Sequence, residues 1–241
     1  MKPDYSGFRR ELWPKRELKD HREQGMKWKH AKSLVERSAI ERKYGVRFSE
    51  LLRLPYFDTV RFCVIDPMHN ILLGSAKHII VLWKKLGLFK DGDNEHIQTL
   101  VNNFVTPSDV GRIPYKIASG FSSFTADQWK NWTLIFSLVA LKDTLPDCHY
   151  QCWYVFVEAC HLMCSRAISL DNIVELDRLL MKFCNYVEAT YGIDTCTPNL
   201  RHLKDCFIDY GPSSSFWLFA FERFNGILGS VSTNHQDIEN Q

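Results

Sequence analysis

Three successive stretches in the second half of the chain, residues 126–141, 148–166 and 170–191, carry apolar side chains at the density and spacing of core helices. Asp171 stands near the start of the last stretch and Gly192 at its end, which is ordinary helix start and stop chemistry. A chain that commits this much of its length to such helices is restricted to a mainly α architecture. Its 241 residues are 45% apolar, enough to bury a proper core, and a charged content of 24% is that of a folded domain rather than a disordered one.

The first half reads less uniformly. Residues 8–44 suggest two helices with Gly25 between them and Gly45 ending the second; large apolar residues are few, chiefly Trp13, Trp28, Leu34, Val35 and Ile40. Pro55 stops a short helical turn over 49–55, and the β-branched and aromatic residues of 59–65 predict a short strand. Asp66-Pro67-Met68-His69-Asn70 then has the form of a helix start: Asp can cap free N–H groups, and Pro at the first helical position gives up nothing by lacking its own. Apolar residues from Met68 to Leu86 recur at three- and four-residue steps, and Gly87 supplies the stop. A turn at 91–94, a helix over 96–104 and an irregular connection over 107–123 complete the passage to the helical half. Three segments are therefore expected: a basic helical arm (1–48), a strand–helix element (49–95), and a helical region with a final Glu-bearing helix (96–241).

That final helix, 216–228, is apolar nearly all round and so is expected in a core. Glu222 lies within it. A buried carboxylate is costly unless it is paired, protonated or aimed at a metal, although Arg223 beside it offers an ordinary ion pair. Asp66 and His69 share the first turn of a helix that leaves the predicted strand, a frequent place for functional groups. Each has a plainer explanation: Asp66 as a cap, His69 as a buried ring bonded to backbone. An acidic pair drawn from distant parts of a chain suits divalent cations in phosphodiester chemistry. Phosphate-loop, dinucleotide and nucleophile-elbow motifs are absent, which leaves nuclease-like chemistry or none.

Charge is unevenly distributed. Residues 1–47 hold fourteen Lys/Arg against seven Asp/Glu, and the remainder sixteen against twenty-one, so the first fifth is +7 and the rest −5. A basic arm of this kind can track a phosphate backbone, while mixed-sign helices are also simply solvated faces. Arg9, Arg10, Lys15, Arg16 and Lys19 are the candidate DNA-binding residues. Eight cysteines, mostly in apolar segments, read as reduced thiols; Cys148/Cys152 and Cys160/Cys164 are each four apart, a spacing open to metal ligation or to simple burial. No apolar run approaches the about 18 to 20 residues of a membrane span, and no secretory signal opens the chain, so a soluble intracellular protein without a membrane partner is expected.

Several of these residues also form a family pattern. Leu54-Pro55-Tyr56-Phe57-Asp58, then Asp66-Pro67-Met68-His69-Asn70 with Leu73-Gly74 and Lys77 behind it, resembles the Asp-x-Met-His region of CACTA/En-Spm-type transposases, particularly the animal copies. Tyr5-Ser6-Gly7-Phe8 and Trp13 fit the stretch before it. Thr197-Pro198-Asn199-Leu200, Tyr210-Gly211-Pro212 and the run from Phe216-Trp217 through Phe221-Glu222-Arg223-Phe224-Asn225-Gly226 resemble the C-terminal signature. The likeness touches most of the chain.

The resemblance implies an RNase H-like nuclease domain interrupted by a helical insertion, with Asp, Asp and Glu binding Mg2+ or Mn2+ for DNA cleavage and strand transfer in the nucleus. Glu222 would be the third acid, and Asp66 and His69 a supporting pair. In the family both catalytic Asp residues and a Cys-x-x-Cys pair lie upstream of the position of Tyr5-Ser6-Gly7-Phe8, so this chain is expected to be truncated at the N-terminus and to lack them. The family's zinc-binding histidines are reduced to His202, so the zinc site is expected to be lost and no metal retained. The expected role is a catalytically incomplete transposase remnant that contacts DNA or related transposase subunits. The alternatives are a non-enzymatic helical interaction module and a partial gene model of an active DNA transposase. Removal of upstream strands would also leave apolar surface exposed.

Overall fold

The computed structural model describes residues 16–108, 110–111, 114–192, 195, 200 and 202–231. The chain divides into two compact units, Met1–Val64 and Ile65–Gln241. It is mainly helical, and no strand occurs among the described residues.

In the first unit, α1 (Leu18–His30) and α2 (Leu34–Tyr44) pack as a helical hairpin. Ser33 caps α2 by accepting from the Glu36 N–H, and Gly45 ends it at φ 65°, as the sequence suggests. The break between the helices falls at residues 31–33 rather than at Gly25. Gly25 sits buried inside α1, where a Cβ would stand 2.5 Å from Leu52 Cδ1. Its role is close packing, which outweighs the helix cost of glycine. Arg22 reaches from α1 to donate to the carbonyls of Leu54 (2.7 Å), Pro55 (3.2 Å) and Phe57 (3.2 Å), fixing the chain that follows the short 3-10 turn Glu50–Arg53.

The strand expected over 59–65 is not formed: these residues run through turns and bends into an irregular segment. β-Branched content favours a strand only where another strand offers ladder hydrogen bonds, and none of the described residues does so.

In the second unit, a π-helical segment, Met68–Ala76, runs directly into α3 (Lys77–Lys85), and Gly87 at φ 67° follows it. Then come α4 (Asp93–Asn102), a 3-10 turn (Phe121–Ser123), and α5 (Ala126–Asn131), which continues through a second π-helical segment, Trp132–Phe136, into α6 (Ser137–Leu141). Thr125 and Gln128 form a reciprocal capping box at α5. α7 (Asp147–Met163) and α8 (Leu170–Tyr191) make the most extensive helix pair; Ser169 and Asn172 cap the second of them. α9 (Leu203–Tyr210) packs on α8, and α10 (Phe219–Gly229) closes the described chain.

The core of this unit is aromatic. Trp83, Trp129, Trp132, Trp153, Phe136, Phe156 and Phe207 are fully buried, and edge contacts link Trp83 to Trp153 (5.5 Å) and Phe121 to Trp132 (5.0 Å). Two polar links, one part-buried and one buried, hold it in register. The Tyr191 hydroxyl accepts from Trp83 Nε1 (2.6 Å) and lies 2.7 Å from His149 Nδ1, while Ser137 Oγ accepts from Trp153 Nε1 (2.8 Å) and donates to the Thr133 carbonyl (3.0 Å) inside the second π segment.

α10 departs from expectation. None of its residues is buried; Phe221, Phe224 and Leu228 are 65%, 63% and 69% exposed. At the angular step of an α-helix, Ala220, Phe221, Phe224, Ile227 and Leu228 share one arc of about 120°, and Glu222 lies nearly opposite. The helix is thus one-sided rather than apolar all round. Its apolar arc faces away from the acidic residue, and no described part of the chain covers it.

Candidate functional site

The site is built on the first turn of the π segment. Pro67, at φ −62° and ψ −32°, already has helical backbone, so Asp66 stands where a capping residue belongs. Its Oδ1 accepts from the Met68 N–H at 3.2 Å, and its Oδ2 accepts from the His69 N–H at 3.0 Å. The capping role read from sequence is therefore present.

Asp66 does more than cap. Oδ1 also accepts the backbone N–H of Leu218 at 3.0 Å, across 152 residues of sequence, and Oδ2 receives His69 Nδ1 at 2.5 Å. Four donors thus converge on one carboxylate that is 11% exposed. Because a carboxylate oxygen only accepts, the hydrogen shared with the ring belongs to Nδ1, and the ring is held with Nε2 pointing away. Nε2 faces Glu222, whose Oε1 is 3.6 Å distant.

Glycine at position 74 belongs to the same construction. In the wide π turn the His69 carbonyl lies 2.9 Å from where a Gly74 Cβ would stand, an approach that any side chain would obstruct. Ser75 Oγ donates to the Asn70 carbonyl at 3.2 Å in the next turn. The π turn, the glycine and the cap together set the direction in which His69 leaves the helix.

The structure brings together the three residues singled out from opposite ends of the sequence, Asp66, His69 and Glu222, but not for the reason burial suggests. Glu222 is 54% exposed and His69 44%, so neither is a core residue and the desolvation expected at Glu222 is absent. Both oxygens of Asp66 are occupied by donors. The set therefore does not offer the several acidic oxygens that a two-cation nuclease centre requires, and among the described residues no group of three or more His, Cys, Asp or Glu is arranged to hold a metal. What the arrangement provides is an oriented imidazole whose Nε2 faces a solvent-accessible carboxylate.

His202 is exposed at the start of α9 and joins no such group. The cysteines among the described residues are free thiols. Burial pushes Cys152 up to about 12 and Cys164 up to about 11, and Cys160 well above its ordinary value, while Cys148 is exposed, so the first four-residue spacing is divided between surface and core. Of the candidate DNA-binding cations, Arg9, Arg10 and Lys15 lie outside the described residues. Arg16 is exposed and donates to the Tyr44 carbonyl at 3.4 Å, and Lys19 is exposed on α1.

Sequence reasoning missed Leu218, which acts through its backbone N–H and therefore leaves no side-chain signature. It also missed the Trp83–Tyr191–His149 link, whose members are separated by up to 108 residues. No helix among the described residues is long and apolar enough to cross a membrane. Compared with known proteins, the chain matches no protein-family model, no curated protein and no solved structure.

Proposed function

We propose that this chain is the Glu-bearing, C-terminal portion of a CACTA/En-Spm-type transposase, catalytically incomplete on its own, that keeps an affinity for DNA through the basic residues of its first unit. The observation that carries this reading is the meeting of two motifs that the resemblance draws from positions about 150 residues apart: Leu218 N–H binds Asp66, and Glu222 faces His69. Unrelated motifs would have no reason to converge. The exposed apolar arc of α10 supports it too, because in an RNase H-like nuclease domain the helix bearing the last acid has a sheet to pack against. Glu222 then corresponds to the third acid of the family, and Asp66 acts by orienting His69.

DNA contact follows from charge. The described residues 16–64 of the first unit carry twelve Lys/Arg and seven Asp/Glu, a balance of +5. Binding of the purified chain to a short duplex at rising salt tests this: five phosphate contacts, from Arg9, Arg10, Lys15, Arg16 and Lys19, give a log–log slope of about −4.5. Replacing all five by Gln should remove most of that slope. Salt-independent binding, or none, would favour the helical interaction module, for which the apolar arc of α10, exposed among the described residues, is the specific support. Metal-dependent nicking that Glu222→Gln abolishes would overturn catalytic incompleteness.

A further inference from the structure

Helix α2 has two chemically distinct faces. At about 100° per residue, its half-buried residues, Arg37, Ile40, Glu41 and Tyr44, fall within one arc of about 100°, the side turned to α1. On that side Glu41 accepts from Trp28 Nε1 at 2.8 Å and pairs with Arg47 at 3.0 Å, and the Arg37 guanidinium lies 4.7 Å from the centre of the Trp28 ring. Val35, Ser38, Ala39, Arg42 and Lys43 occupy the opposite arc of about 140°, and all of them are exposed.

Two properties of this outward face decide what fits it. It carries cations and no acid: Glu41 is turned inward, and Glu36, at the edge of the arc, is drawn back to accept the Lys32 N–H at 2.7 Å. Arg42 donates only to the Ser38 carbonyl at 3.3 Å and Lys43 lies over the Tyr44 ring, so neither is committed to an acid among the described residues. The face is also slender. Ser38 and Ala39 form its middle turn, and Val35 is its one large apolar side chain, too little for the ridge that packing against another helix requires. A helix about 10 to 12 Å across matches the major groove of B-form DNA, about 12 Å wide, where small side chains reach base edges and thymine methyl groups and flanking cations meet phosphate. The geometry points to α2 as a helix that enters the major groove of duplex DNA, with Val35, Ser38 and Ala39 toward the bases and Arg42 and Lys43 toward the backbone.

This inference rests on the DNA affinity proposed above and adds to it the element that docks and the groove that receives it. The test compares binding of the full chain to a fluorescein-labelled duplex of mixed sequence, about 20 base pairs long, at low and rising salt. Ala39→Glu puts a carboxylate on the outward face at an exposed helical position, and circular dichroism checks that helix content is kept. It should weaken binding at least about tenfold, whereas Val174→Glu, the same change in charge at an exposed position of α8, should change it less than about twofold. Arg42→Gln combined with Lys43→Gln should make the log–log salt slope shallower by about 1.8. The same duplex with glucosylated 5-hydroxymethylcytosine in place of cytosine, which fills the major groove and leaves phosphates and minor groove unchanged, should bind at least about tenfold more weakly. Equal affinity for the two duplexes, Ala39→Glu no weaker than Val174→Glu, or an unchanged slope in the double variant would each overturn the role of α2 while leaving DNA affinity in place. A wild-type chain that binds no duplex at low salt would instead overturn the DNA affinity itself, and the assignment of α2 with it.

Discussion

Replacing Asp66 by Ala removes the point at which the start of the π segment is tied to the residue preceding α10. Loss of an N-cap costs about 1 kcal/mol. Asp66 additionally accepts from Leu218 N–H and from the His69 ring, and stranding a buried or part-buried donor costs about 1 to 3 kcal/mol. Because water can reach the exposed His69 ring, the lower end applies there, and the expected total is about 3 kcal/mol. Asp66→Asn provides the control. Its Oδ1 still accepts from Met68 and Leu218, while the amide nitrogen confronts the His69 donors, so it should cost about half as much. Urea unfolding followed by fluorescence of Trp83, Trp129, Trp132 and Trp153 reports the second unit, since all four are fully buried in it. Hydrogen exchange at the Leu218 amide supplies a local readout: faster in Asp66→Ala, little changed in Asp66→Asn. A cost below about 1 kcal/mol for Asp66→Ala, or equal costs for the two variants, would refute the assignment of Oδ1 as the long-range anchor.

Gly74→Ala places a methyl group 2.9 Å from the His69 carbonyl, a backbone atom that cannot turn aside. A loss of about 1 to 3 kcal/mol is expected in the same urea assay, despite alanine's better helix propensity, and a stabilised variant would show that the π turn does not require glycine. Acidification should destabilise the second unit through His149, whose ring burial holds below the usual histidine range. With the folded value depressed, the unfolded chain binds more protons; this contribution is complete above pH 6.5 and is lost as pH falls through the folded value. His149→Gln should flatten the pH dependence of the urea midpoint between pH 7 and 5, and an unchanged slope would locate the sensitivity elsewhere.

Much of the helical architecture was legible in the sequence because it is written locally. Residues 170–191 run as a helix over the span that their periodicity and terminal residues indicate, and Gly45, Gly87 and Asp66 act as stop, stop and cap. Hydrophobic repeat and capping chemistry are properties of neighbours within four residues. The pairing of Asp66 with His69 was visible on the same scale.

Only the tertiary structure decided the rest. The β-branched run at 59–65 remains irregular because a strand is defined by a partner, which no count of side chains supplies. Gly25 looked like a helix break and is a packing site, since what decides its role is Leu52, twenty-seven residues away. Glu222 drew notice as a carboxylate in an apolar helix and proves to be solvent-accessible, because composition gives the arc of a helix but not the direction in which that arc points. Its convergence with His69, and the backbone hydrogen bond from Leu218 that accompanies it, arise from long-range packing: a main-chain N–H is identical at every non-proline residue, and only the path of the chain determines which one meets Asp66.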